Sequence, residues 1–241
     1  MKTENKIIFL TVLLVGSLMI TPVLASTTQA GYQTKSESKN LETITVDFID
    51  VTGAIPIKKE ITMSKVEWYA ITQELQAISP SEKTMRGKFA AQITIFQKHH
   101  LISEDTNIDT LLVKFNKRTN NGLFRSLHER VPKSLPLNNS IFSSLSAISF
   151  TLENENGSTL VFGLNTFINI IGFNIVSLHK GYAPDGIQTT GLISDSVPPG
   201  QYAGFIFGFF GYWFGEKIST GVYSNLTVAG LAIITAWVPV S

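Results

Sequence analysis

The sequence predicts an α+β fold, in which an N-terminal β-hairpin plus about three helices precedes a Gly/aromatic-rich, mainly antiparallel β unit. Three observations point there. Apolar positions between Ile44 and Phe115 recur first at strand spacing and then at helix spacing. Charge then falls away: 29 charged residues lie between Ser26 and Gly157, and after them only Lys180, Asp185, Asp195, Glu216 and Lys217. That last third also holds 12 of the 18 glycines, and it lacks the charged face that a soluble helix needs.

The chain begins as a secretory signal does. Lys2 and Lys6 precede an apolar run from Ile7 to Ile20, Pro22 ends any helix, and Val23-Leu24-Ala25 sets small residues before a cut at Ser26. A second cut point, before Gly31, follows Thr28-Gln29-Ala30. The run is about 14 residues, short of the roughly 20 that span a bilayer, which favours a cleaved signal (1–25) over an anchor. Residues 26–40 are rich in Ser, Thr, Gln and Lys and read as a flexible tether. Cysteine is absent, which excludes thiol catalysis, thiolate metal sites and disulfides, so an exported chain of this kind relies on its apolar core. A net charge of +1 without a basic cluster argues against nucleic acid as a partner. Asn138, Asn156 and Asn225 open Asn-x-Ser/Thr sequons, a pattern frequent by chance.

Residues 41–130 contain the hairpin and the helices. Ile44, Val46, Phe48 and Val51 nearly alternate with Thr45, Asp47 and Asp50, which predicts a half-buried strand. A turn at Thr52-Gly53-Ala54 leads to a second strand carrying Ile55, Ile57 and Ile61, with Lys58, Lys59 and Glu60 outward. Ser64 and Glu67 form a capping box, and Trp68, Ile71, Leu75 and Ile78 share the face of the helix behind it. Ser79-Pro80 stops that helix, and Ser81 is the expected cap of the next, with its stripe Met85, Phe89, Ile93 and Phe96. Asp105 or Thr106 starts a third helix through Ile108, Leu111, Leu112 and Phe115, which Asn120-Asn121-Gly122 ends.

Pro132, Pro136 and a polar cluster mark a boundary near residue 140. Beyond it, residues 141–241 read as the β unit. Ile148–Glu153 and Ser158–Leu164 flank Asn154-Glu155-Asn156-Gly157, an expected hairpin. Turns follow at Ala183-Pro184-Asp185-Gly186 and at Val197-Pro198-Pro199-Gly200, and Val222–Val240 is rich in β-branched residues. Ser158–Leu178 and Gly221–Ser241 are long enough to cross a bilayer, but both carry polar residues and read more simply as buried strands.

The run from Tyr202 to Gly215 concentrates the functional signal. As a strand it sets Phe205, Phe207 and Phe209 on one face. As a helix it aligns Gly204, Gly208, Gly211 and Gly215 in the small-residue seam of packed membrane helices, at a cost of about 3–4 kcal/mol in water relative to alanine. The strand is favoured. Clustered aromatics dominate interfaces, so Phe205, Phe207, Phe209, Tyr212, Trp213 and Phe214 are the expected partner or membrane contacts.

No catalytic, cofactor or metal signature accompanies them. His99 and His100 diverge on a helix and have no carboxylate at i±4, Glu104-Asp105 and Glu153/Glu155 fit caps and turns, and neither Gly-x-Ser-x-Gly nor Gly-x-Gly-x-x-Gly occurs. The reading is therefore a non-enzymatic, exported protein, secreted or held at the extracellular face of the membrane. It associates with itself as a homo-oligomer, or with a membrane surface, through the β unit. The alternative is a membrane-embedded or pore-forming protein that uses residues 158–240. A hydrolase centred on His179 is a distant third.

Overall fold

The computed structural model describes residues 42–53, 55–81, 83–119, 141–153, 161–164, 175–191, 195–219 and 222–239, with the backbone alone at 79–81, 141–144, 161–164, 175–180, 195, 217–219 and 222. The expected signal, tether and Asn-Gly turn lie outside them, as does the Asn120-Asn121-Gly122 helix stop. The fold is α+β. Strands β1 (Thr43–Asp50) and β2 (Ile57–Ser64) form the hairpin, and helices α1 (Lys65–Ser81), α2 (Met85–Lys98) and α3 (Ile108–Thr119) follow. The β unit contains β3 (Ile141–Glu153), β4 (Val161–Leu164), β5 (Ile175–Ala183), β6 (Ile187–Gly191), β7 (Asp195–Val197), β8 (Gly200–Phe207), β9 (Phe210–Ser219) and β10 (Val222–Pro239).

The local signals are mostly read as expected, with small shifts. Ser64 Oγ accepts the Glu67 backbone N–H at the start of α1. That helix continues through Pro80 to Ser81, so Thr84 rather than Ser81 caps α2, accepting from the Gly87 N–H. Asn107 rather than Asp105 or Thr106 caps α3, accepting from Asp109 and Thr110. A side-chain oxygen at each start satisfies N–H groups that the first helical turn leaves open.

Long-range pairing departs further from local expectation. β3 and β4 do not fold back on each other. They run end to end along one edge of β10, where Glu153 faces Asn225 and Val161 faces Tyr223. β10 has 18 residues, enough edge for both, and a long central strand outcompetes a local hairpin. β8 and β9 likewise share the other edge of β10, with Phe207 opposite Ile234 and Phe210 opposite Leu231. β8 also pairs with β5, and β5 pairs with β4 and β3. The ladder β10–β8–β5–β4–β10 therefore closes on itself, and the sheet rolls up at this end.

Two clusters fill the two faces. One lies inside the roll: Ile148, Phe150, Leu152, Tyr202, Ile206, Phe209, Trp213, Tyr223, Val228 and Trp237 among others. The other lies under the helices and joins Phe48, Trp68, Ile71, Phe89 and Phe96 to Phe210, Tyr212, Phe214 and Leu231. The change in composition near residue 140 thus does not divide the core. β1 pairs with β9 from Val46↔Glu216 to Asp50↔Tyr212, and Glu42–Ser241 is one compact unit.

Candidate functional site

The glycines and aromatics of the last third are largely spent on packing the sheet against itself. Tyr223 lies over Gly215 on the neighbouring strand, where a Cβ would come within 2.6 Å of the ring, and Trp237 covers Gly204 in the same way at 2.5 Å. A ring laid flat over a cross-strand glycine buries both backbone and aromatic surface. Trp213 meets Tyr223 edge-on at 5.2 Å between ring centres, and Phe150 meets Trp237 at 4.7 Å.

This packing decides where the expected contact residues stand. Phe209 and Trp213 are buried inside the roll. Tyr212 and Phe214 are buried under the helices, Phe214 edge-on to Trp68 at 4.6 Å and Tyr212 5.1 Å from Phe96. These four are core residues, at most 2% exposed, and are not available at the surface. The structure brings only Phe205 and Phe207 to the outside, both half-buried.

Those two open an apolar strip on the outer face of β8 and the end of β10. In register, Phe207 stands beside Ile234, Phe205 beside Ala236, and Ala203 beside Val238. Ile234 and Ala236 are half-buried and Val238 is 43% exposed. Phe207 and Ile234 touch the rim of the helix-covered cluster, and the strip runs outward from that rim. None of its six side chains is charged. Ala203, Ile234, Ala236 and Val238 were not legible as partners of the two phenylalanines in the sequence, because only the β8–β10 register sets them on one face. The segment's richness in β-branched residues was the one available hint.

Several buried polar groups link elements of the fold. Asp47 is 1% exposed and accepts from Lys58 Nζ at 2.7 Å and from Tyr223 O–H at 3.0 Å, while its Oδ1 has no hydrogen-bond partner among the described residues. The Tyr223 hydroxyl reaches it across β9 because Gly215 leaves room for the ring. Lys88 is fully buried in α2, and burial lowers its ammonium to about 8. One turn on, the buried Gln92 donates to the Ile148 carbonyl. Arg118 donates to the Thr52 and Gly53 carbonyls and lies over the Phe210 ring, tying α3 to the first hairpin. Burial raises the Tyr212 hydroxyl, and the negative Asp50 adds to the effect. Glu153 is raised by burial and then by the nearby Asp185.

His99 approaches Glu74 at 3.4 Å beside the Lys98–Glu74 ion pair. Among the described residues no group of His, Cys, Asp and Glu could hold a metal ion, and no helix is long and apolar enough to cross a membrane. The side chains of His179 and Lys180 lie outside the described residues. Comparison with protein-family models, with curated proteins and with solved structures finds no match.

Proposed function

We propose that this is an exported, non-enzymatic cell-surface or extracellular protein that associates with itself or with a membrane surface through the strip formed by Phe205, Phe207, Ile234, Ala236 and Val238. The observation that carries the reading is the strip itself, a two-strand apolar face that continues past the edge of the helix layer without a charged residue. Apolar surface left in contact with water favours any partner that removes it. The N-terminal signal pattern supports the proposed location outside the cell.

The test is a pair of polar substitutions, Phe205→Ser and Val238→Ser, made together. Both residues are at least partly exposed, so the fold tolerates them better than it would a change in the core. Sedimentation velocity reads self-association and co-flotation with liposomes reads membrane binding. The double variant loses whichever is present by about 2 kcal/mol or more, roughly a thirty-fold weakening. A variant with wild-type circular dichroism and undiminished behaviour in both assays refutes the proposal.

A further inference from the structure

The two faces of the sheet change places along a single row of residues. On β10, Ala229, Leu231 and Ile233 belong to the helix-covered cluster, and Leu226, Val228 and Ala232 to the rolled interior. Beyond Ile233 the order inverts: Ile234 packs toward the helix side and Trp237 enters the roll. The adjoining strand inverts at the same level, since Phe209 is inside the roll whereas Phe207, two residues away, is on the helix side. A regular strand keeps residues two apart on one face.

The backbone supplies the cause. Gly208, between β8 and β9, has φ +65°, and Leu145 on β3 has φ +45°. Continuing the ladders places both opposite Ile233. One further strand out, Gly191 faces Ser146, and a Cβ there would come within 2.3 Å of the Leu145 carbonyl oxygen. The β8–β9 join, β10 and β3 are therefore irregular at one level, and a glycine flanks the kink on each side. A left-handed residue in a strand is the device by which a bulge re-aims side chains, and leucine adopts that conformation rarely.

We infer that the row Gly191–Leu145–Ile233–Gly208 is a face-inverting kink whose positioning residue is Gly208, and that it turns Phe205 and Phe207 out of the core while seating Ile206 and Trp237 inside. The role in presenting the strip rests on the contact function proposed above. The inversion itself does not.

Because the chain has no cysteine, single thiols report the faces cleanly. Ala232 and Ala236 are four residues apart on β10, and an uninverted strand would expose them alike. A maleimide reacts at least ten-fold faster with Ala236→Cys than with Ala232→Cys under native conditions. The cause is tested by comparing Gly208→Asn with Gly208→Val, both in an Ile233→Ala background. That background removes the Cγ1 and Cδ1 atoms that a Cβ at position 208 would meet at 2.6 and 2.4 Å. Asparagine tolerates positive φ and valine does not. The Asn variant keeps the ratio of thiol reactivities, and the Val variant brings it to within about two-fold of unity and loses association. Equal reactivity at 232 and 236, or a ratio that survives valine as well as asparagine, overturns the inference. A ratio that collapses while association persists upholds the inversion and removes the contact function instead.

Discussion

The two faces of the sheet are made by the same strands but are closed by different means. One is covered by three helices whose outer sides mix polar residues with exposed Val66, Tyr69 and Val113. The other is closed by the sheet itself, which rolls until β8, β5, β4 and β10 meet. A helix layer can cover large rings such as Tyr212 and Phe214 with other large rings, Phe96 and Trp68. A sheet that closes on itself has backbone facing backbone, so its large side chains need glycine opposite them, as Tyr223 and Trp237 have in Gly215 and Gly204. The glycine and aromatic composition of the last third thus serves both faces, the glycines and rings of the self-closed one and the Phe210, Tyr212 and Phe214 rings under the helices, while Phe205 and Phe207 stand half-buried outside the roll.

The largest test of the comparison is to separate the helices from the strands they cover. Residues 42–130 produced alone lose Phe210, Tyr212, Phe214 and Leu231 from the helix-covered cluster. They show no cooperative thermal transition by circular dichroism or calorimetry. A sharp transition would mean that the helix layer has a core of its own.

Phe214→Ala comes next. It removes a fully buried ring that meets Trp68, Phe96 and Phe48, and it costs about 3–5 kcal/mol in urea unfolding. A cost below about 1 kcal/mol would show that the helix-covered face can collapse onto the cavity.

Lys88 sharpens the same face through pH. Its amine falls from 10.5 in the unfolded chain to about 8 in the fold, because burial disfavours the ammonium. Between those values the unfolded chain binds more protons, so stability rises as pH increases from about 8 toward 10.5 and is flat in this respect below 8. At about 1.4 kcal/mol per pH unit the rise is about 3 kcal/mol. Lys88→Met removes it, so the difference in unfolding free energy between variant and wild type is largest near neutral pH and shrinks toward pH 10.5. A difference independent of pH would mean that Lys88 is not desolvated as its burial implies.

The smallest effect belongs to the rolled face. Tyr223→Phe takes away one of the two donors to Asp47 and keeps the ring over Gly215, at a cost of about 1–2 kcal/mol. Removing Lys58 as well, by Lys58→Met, leaves the Asp47 carboxylate without either donor, and the double variant costs more than the sum of the singles if the two donors act on one charge. Strict additivity would show that Tyr223 and Lys58 stabilise the fold independently.

Much of the local structure is legible without the fold. Ser64, Trp68, Ile71 and Leu75 announce α1 because a cap and an apolar stripe are set by residues a few positions apart. The alternation from Ile44 to Phe48 announces β1 for the same reason. Of the six expected contact residues, two, Phe205 and Phe207, stand half-buried at the outside, whereas Phe209, Tyr212, Trp213 and Phe214 are core. Hydrophobicity alone does not distinguish a ring that covers a neighbouring strand from one that waits for a partner. The expectation that Phe205, Phe207 and Phe209 share a face assumed an unbroken strand, and Gly208 breaks it with a left-handed backbone.

The sequence by itself determined the class of the fold, the start of α1 and the strand character of the glycine-aromatic run, since each depends on spacing and on local backbone preference. Only the tertiary structure decided that β3 and β4 share an edge of β10 instead of forming a hairpin. It alone decided that the first hairpin joins β9 across the charge boundary, and which aromatics face water. The physical reason is that strand pairing is chosen among distant partners by the total surface they bury together. A change of face at one row, set by Gly208 and Leu145, then reassigns every side chain beyond it, and no local pattern records that.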